Sequence, residues 1–127
     1  MSSMDPGALS AVLLAVADTI ERRKRGEGMT NSEGRSYVRG LLDGAPTKIN
    51  DKITEEAGEL CDAIANETDE RVAAEAADLL FHVMVGLSSR GLSLEDVAEV
   101  LQARFGRSGI DEKEARGADD ASNSTPS

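Results

Sequence analysis

The stretch AAEAADLLFHVMVGL, residues 73–87, constrains the chain most. Ala76, Ala77, Leu79, Leu80, Val83, Met84 and Leu87 cover more than one side of a helix, so a helix over Glu70 to about Arg90 must be largely enclosed by neighbours. Yet Glu75 and Asp78 stand inside it. A carboxylate among apolar neighbours is costly without a partner or a metal. Either the neighbours supply that partner or the helix turns its acids outward.

The other helices follow from the same periodicity. Leu9, Leu13, Val16 and Ile20 recur at helical spacing after Pro6, which predicts a helix over Pro6 to Lys24. Residues 25–35, RGEGMTNSEGR, break the pattern and read as a loop. A short helical turn around Ser36 to Leu42 leads into DGAP, after which Thr47 or Asn50 can cap the next helix. Ile53, Ala57, Leu60, Ile64 and Ala65 trace an apolar stripe, predicting a helix over Lys48 to Ala65 that closes in the turn NETD. Thr68 or Asp69 caps the apolar helix, and Gly91 stops it. Ser93 and Asp96 frame the start of a last helix to about Phe105, ended by Gly106. No segment alternates like a strand, and there is no internal repeat. The fold class is therefore all-α, a bundle of four to five helices. It is read as an N-terminal helix and loop over 1–33, a helical domain over 34–116 and a disordered tail over 117–127.

Composition excludes partners more than it names them. Lys plus Arg number 14 against 24 Asp plus Glu, a net charge of −10, so nucleic acid and anionic membrane surfaces are disfavoured. No uninterrupted apolar run approaches the length of a membrane span, and the absence of a leader-like start points to the cytoplasm. Cys61 is the single cysteine and reads as a buried small hydrophobe. The acidic surplus still admits a small phosphorylated ligand bridged by metal ions.

Glu55, Glu56 and Glu59 share one helix side by their spacing, as do Glu75 and Asp78 on the next helix. If the short NETD link folds these helices antiparallel, the two clusters meet. Facing carboxylates repel unless a cation lies between them, and an all-oxygen set suits Mg²⁺ or Mn²⁺. Solvated helix faces remain the competing reading, because Glu is a good helix former. His82, one turn beyond Asp78, can hydrogen-bond to it, to a substrate or to a neighbouring helix. With a single His, the paired Glu-x-x-His motifs of a di-iron bundle are missing.

The segments SYVRGLL (36–42), KINDKITEEAGEL (48–60), EAADLLFHVMVGL (75–87), RGLSLEDV (90–97) and SGIDEKEAR (108–116) together resemble the phosphoribosyl-ATP pyrophosphatases. These are all-helical enzymes of histidine biosynthesis within the MazG-like nucleotide pyrophosphohydrolase group. The resemblance spans roughly Gly34 to Arg116; the loop before Ser36 and the tail after Arg116 have no counterpart in it. It implies hydrolysis of phosphoribosyl-ATP to phosphoribosyl-AMP and pyrophosphate, with Mg²⁺ held by Glu55, Glu56, Glu59, Glu75 and Asp78. Glu56 or Glu59 is then the general base, and Lys48, Lys52, Arg39, Tyr37 and His82 face the substrate. Asp51 replaces one of two consecutive lysines, leaving one cation fewer for phosphates. The resemblance also implies a homodimer or higher homo-oligomer. The chain lacks the Cys and His ligands of a zinc cyclohydrolase, so a single activity is expected. Two further functions stay open: a house-cleaning pyrophosphohydrolase of nucleoside triphosphates, and a non-catalytic helical interaction module.

Overall fold

The structure, a computed structural model, describes residues 3–28 and 36–106. The described residues form helices and connections without strands: α1 (Pro6–Lys24), α2 (Tyr37–Asp43), α3 (Thr47–Asn66), α4 (Asp69–Ser89) and α5 (Leu94–Phe105). The expected all-α class is what the chain adopts.

Local chemistry sets the helix ends. Asp5 accepts the Ala8 N–H at 2.9 Å, and Pro6 follows at the first helical position, where its missing N–H costs nothing. The Ser36 hydroxyl accepts from the Arg39 N–H at 3.2 Å to start α2, and Thr68 does the same for α4 through the Arg71 N–H at 3.3 Å. For α3 the expected cap is absent. Its first residue is Thr47 itself, preceded by Pro46 with no side-chain cap bond. Gly91, at φ 72°, takes the left-handed conformation that ends α4, which a side chain would make costly.

Residues up to Ser93 make one compact unit, and Leu94 begins a second. In the first unit α3 and α4 pack most extensively, joined only by Glu67 and Thr68. They run antiparallel: a Cβ placed on Gly86, near the end of α4, would stand 3.4 Å from Cγ2 of Ile49 at the start of α3. Ile20, Leu41, Ile49 and Val85 are fully enclosed, each contributing about 1.5–3 kcal/mol of apolar burial. Across α1 and α4 the Lys24 ammonium donates to the Ser88 carbonyl at 2.7 Å, and the buried Ser88 hydroxyl donates to Glu21 at 2.5 Å. The second unit contributes α5, with Glu95 and Asp96 in its first turn and Arg104 in its last, signs that suit the helix dipole.

Several expectations change. The buried stripe of α3 is Ile49, Glu56 and Ala63 flanked by half-buried Ile53 and Leu60, whereas Ile64 is 66% exposed. The apolar reading drifted by one position because it skipped a charged residue that lies inward. Cys61 is exposed, since it falls about 100° around the helix from Leu60. In α4 the buried apolar residues, Met84 and Val85, are confined to the second half, and Ala73, Ala74, Ala76, Ala77 and Leu80 are exposed. Asp78 is exposed too, and Glu75 is the buried acid. By length and composition alone α4 is apolar enough to cross a membrane, contrary to the sequence expectation. The core helix of a soluble protein passes the same test, and α4 carries carboxylates and packs on α3. The expected tail, and the SGIDEK segment, lie outside the described residues.

Candidate metal centre

The α3–α4 hairpin brings the two acidic clusters together. Glu55, Glu56 and Glu59 can place ligand atoms within 4.8 Å of one another, and so can Glu56, Glu75 and Asp78. Glu56 belongs to both groups and joins them into one site.

Burial is uneven among the five. Glu56 and Glu75 are 7% and 5% exposed, and Glu55, Glu59 and Asp78 lie at the surface. Each buried carboxylate has one oxygen held from its own helix, four residues earlier. Arg71 donates to Oε1 of Glu75 at 2.5 Å, and the Lys52 ammonium lies 3.6 Å from Oε1 of Glu56. The second oxygen of each, Oε2, is buried and has no donor. A buried, unpartnered carboxylate oxygen costs more than any surface ion pair returns. Two of them point to a missing positive charge, which can be a proton or a cation.

Glu59 shows the proton answer. Its carboxyl is pushed up to about 7, first by its hydrogen bond with Glu56, then by that with Glu75. Protonated, Glu59 supplies a donor to its neighbours; ionised, it leaves their Oε2 atoms with none. An all-carboxylate set of this kind suits a hard divalent cation of the Mg²⁺ or Mn²⁺ type. The residues present therefore fit such an ion.

The flanking residues are placed as follows. Tyr37, 52% exposed, stacks near Phe81 with ring centroids 6.4 Å apart and meets His82. The Lys52 ammonium is held above its ordinary value, first by its charge interaction with Tyr37 and then by Glu55 and Glu56, which it approaches at 3.4 and 3.6 Å. Lys48 is exposed and extends toward Gly40 of α2. The Arg39 guanidinium is occupied, donating to Asp43 at 2.8 Å and to the Lys24 carbonyl at 2.8 Å. Arg71 had not been singled out from the sequence. Its signal was legible in the four-residue step from Arg71 to Glu75, one turn along α4, while Glu67, in the extended link before α4, also comes within 3.2 Å of Arg71.

A family profile described as phosphoribosyl-ATP pyrophosphohydrolase matches residues 16–105. The chain belongs to this family. Phosphoribosyl-ATP pyrophosphohydrolase similarity thus begins within α1 and includes the loop before Ser36, earlier than the Gly34 start read from the motifs. The chain is 42% identical to the phosphoribosyl-ATP pyrophosphatase of Nitrosospira multiformis over 112 residues, 88% of each protein. It is 40% identical to the Bordetella parapertussis protein of the same name over 114 residues, 90% of this chain and 97% of that one. The chloroplastic histidine biosynthesis bifunctional protein of Arabidopsis thaliana is 42% identical over 110 residues, and there the match covers 85% of this chain but 39% of the relative. The chain thus spans well under half the length of such bifunctional relatives.

Proposed function

We propose that this protein hydrolyses phosphoribosyl-ATP to phosphoribosyl-AMP and pyrophosphate, the second step of histidine biosynthesis, in the cytoplasm. The observation that carries the reading is the pair of buried Oε2 atoms of Glu56 and Glu75, unpartnered and gathered with Glu59 and Asp78 within a family of this activity. The relatives' names suggest the substrate, and the gathered carboxylates support a cation that would meet its phosphates.

Glu55, Glu56, Glu59, Glu75 and Asp78 would hold the ion. Bound there, Mg²⁺ or Mn²⁺ neutralises phosphate charge and eases deprotonation of the attacking water. Glu56 and Glu75, anchored through Oε1, keep the inner wall of the site rigid. Glu59, at the surface beside Glu56 and Glu75, is the carboxylate we assign to take the water's proton. The bond between the bridging oxygen and phosphorus of the α–β anhydride breaks as the water oxygen attaches, and pyrophosphate leaves. Lys52, 3.6 Å from Glu56, and exposed Lys48 one turn earlier in α3 provide cations for the phosphates. Tyr37, carried by buried His82, offers its half-exposed ring to the nucleotide. A homodimer or higher oligomer would cover the exposed alanines and Leu80 on the first half of α4.

The deciding experiment is pyrophosphate release from phosphoribosyl-ATP, with ATP and dCTP as controls, with and without Mg²⁺, for wild type and Asp78→Ala. Metal-dependent release from phosphoribosyl-ATP alone, lost in the variant, is expected. Release mainly from the control triphosphates would make the protein a house-cleaning enzyme. No release from folded protein would return the acids to solvated helix faces.

A further inference from the structure

Glu75 is the most buried acid of the site, and what directs it comes from outside the ligand set. Its Oε1 receives the Arg71 guanidinium at 2.5 Å, and the same guanidinium, through Nε, reaches Glu67 Oε1 at 3.2 Å. The fork is thus held at two points, by Glu67 in the link before α4 and by Glu75 one turn further along the helix, so its orientation is set before any ligand arrives. With Oε1 committed, the carboxylate plane can turn only Oε2 away from Arg71, and that oxygen is the buried, unpartnered atom of the site.

We infer that Arg71 is a positioning residue whose fork, braced by Glu67, aims Glu75 Oε2 at the cation site. The inference rests on the metal reading proposed above. Two opposing effects decide its sign. Arg71 adds positive charge near a site for a cation, which weakens binding, and it fixes a flexible carboxylate, which strengthens binding. The guanidinium side chain is 56% exposed, so solvent screens its repulsion, whereas the carboxylate that it orients is only 6% exposed. Orientation therefore outweighs repulsion. Groups that bond to a ligand's far side commonly change metal affinity by about 10–100-fold when removed.

The test is Mn²⁺ binding to the full chain, followed by the electron paramagnetic resonance signal of free Mn²⁺, for wild type, Arg71→Met and Arg71→Lys. Met keeps the length of the stem and removes every donor. Expected is affinity about tenfold weaker for Arg71→Met, with helix content retained in EDTA and a lower melting temperature there, because the buried Glu75 Oε1 loses its donor. Arg71→Lys, which keeps the charge but cannot span Glu67 and Glu75 together, should fall between the two. Should Arg71→Met lose its helices, Arg71→Lys alone carries the test. Affinity equal to or tighter than wild type in the folded variant overturns the inference while leaving the metal site intact. Wild type that binds no Mn²⁺ overturns the metal reading itself, and the positioning role with it.

Discussion

The Tyr37 hydroxyl donates to Nε2 of His82 across 2.7 Å, and the direction of that bond is dictated by the other side of the ring. Nδ1 of His82 lies 2.7 Å from the Asp78 carbonyl, which can only accept, so Nδ1 carries a proton and the tautomer with its free lone pair on Nε2 accepts from the hydroxyl. His82 is 6% exposed. Tyr37→Phe therefore leaves a buried acceptor without a donor and should cost about 1–3 kcal/mol. Urea denaturation measures it. A loss below the resolution of that method would mean that water replaces the hydroxyl.

Glu56 joins both acidic groups and has an unpartnered buried oxygen. Glu56→Gln should lower pyrophosphate release by at least about 100-fold, the scale on which one electrostatic group in such a site acts. Its melting temperature in EDTA should nonetheless match or exceed wild type, since an amide removes charge repulsion and can donate to Glu75. A variant that is both inactive and strongly destabilised would assign Glu56 to the core instead.

The raised Glu59 carboxyl makes metal-free stability depend on pH in one direction. Its folded value of about 7 lies above the ordinary 4.5. Between those values the folded protein keeps a proton that the unfolded chain has lost. This contribution to stability is full below pH 4.5, falls as pH rises, and is gone above about 7. In EDTA, wild type should lose stability relative to Glu59→Gln across this window, as read by paired thermal melts. Parallel curves would remove the proton from the site. Metal binding below pH 7 should also release protons, which calorimetry in buffers of different ionisation enthalpy would detect.

Arg39 bridges the end of α1 and its own helix through the Lys24 carbonyl and Asp43. Arg39→Ala should cost no more than about 1 kcal/mol, as exposed pairs do, and should leave KM nearly unchanged. A large rise in KM with unchanged stability would instead put the guanidinium on the substrate's phosphates, the role the motifs suggested.

Much of this molecule is legible in its sequence where one local rule decides. The bounds of α1 follow from Pro6 and the periodicity through Ile20, and the stops at Gly91 and Gly106 follow from glycine's access to positive φ. The convergence of the acids follows from helical spacing and a short link. What was not legible depends on which side faces inward. Asp78 reads as the costly buried charge because its sequence neighbours are apolar, but those neighbours, Ala76, Ala77 and Leu80, are themselves exposed. Glu56 reads as a surface residue and lies in the packed stripe of α3. Hydropathy ranks residue types, whereas packing selects positions, and a functional carboxylate is where the two disagree.

All five acids lie between Glu55 and Asp78, on two helices joined by Glu67 and Thr68. Bringing them together closes only a short loop, so little chain entropy is lost in assembling them and their mutual contacts are local in sequence. The chemistry-bearing part is thus a compact cassette. It can travel whole between polypeptides of different length, since a fusion at either flank need not pass between its halves.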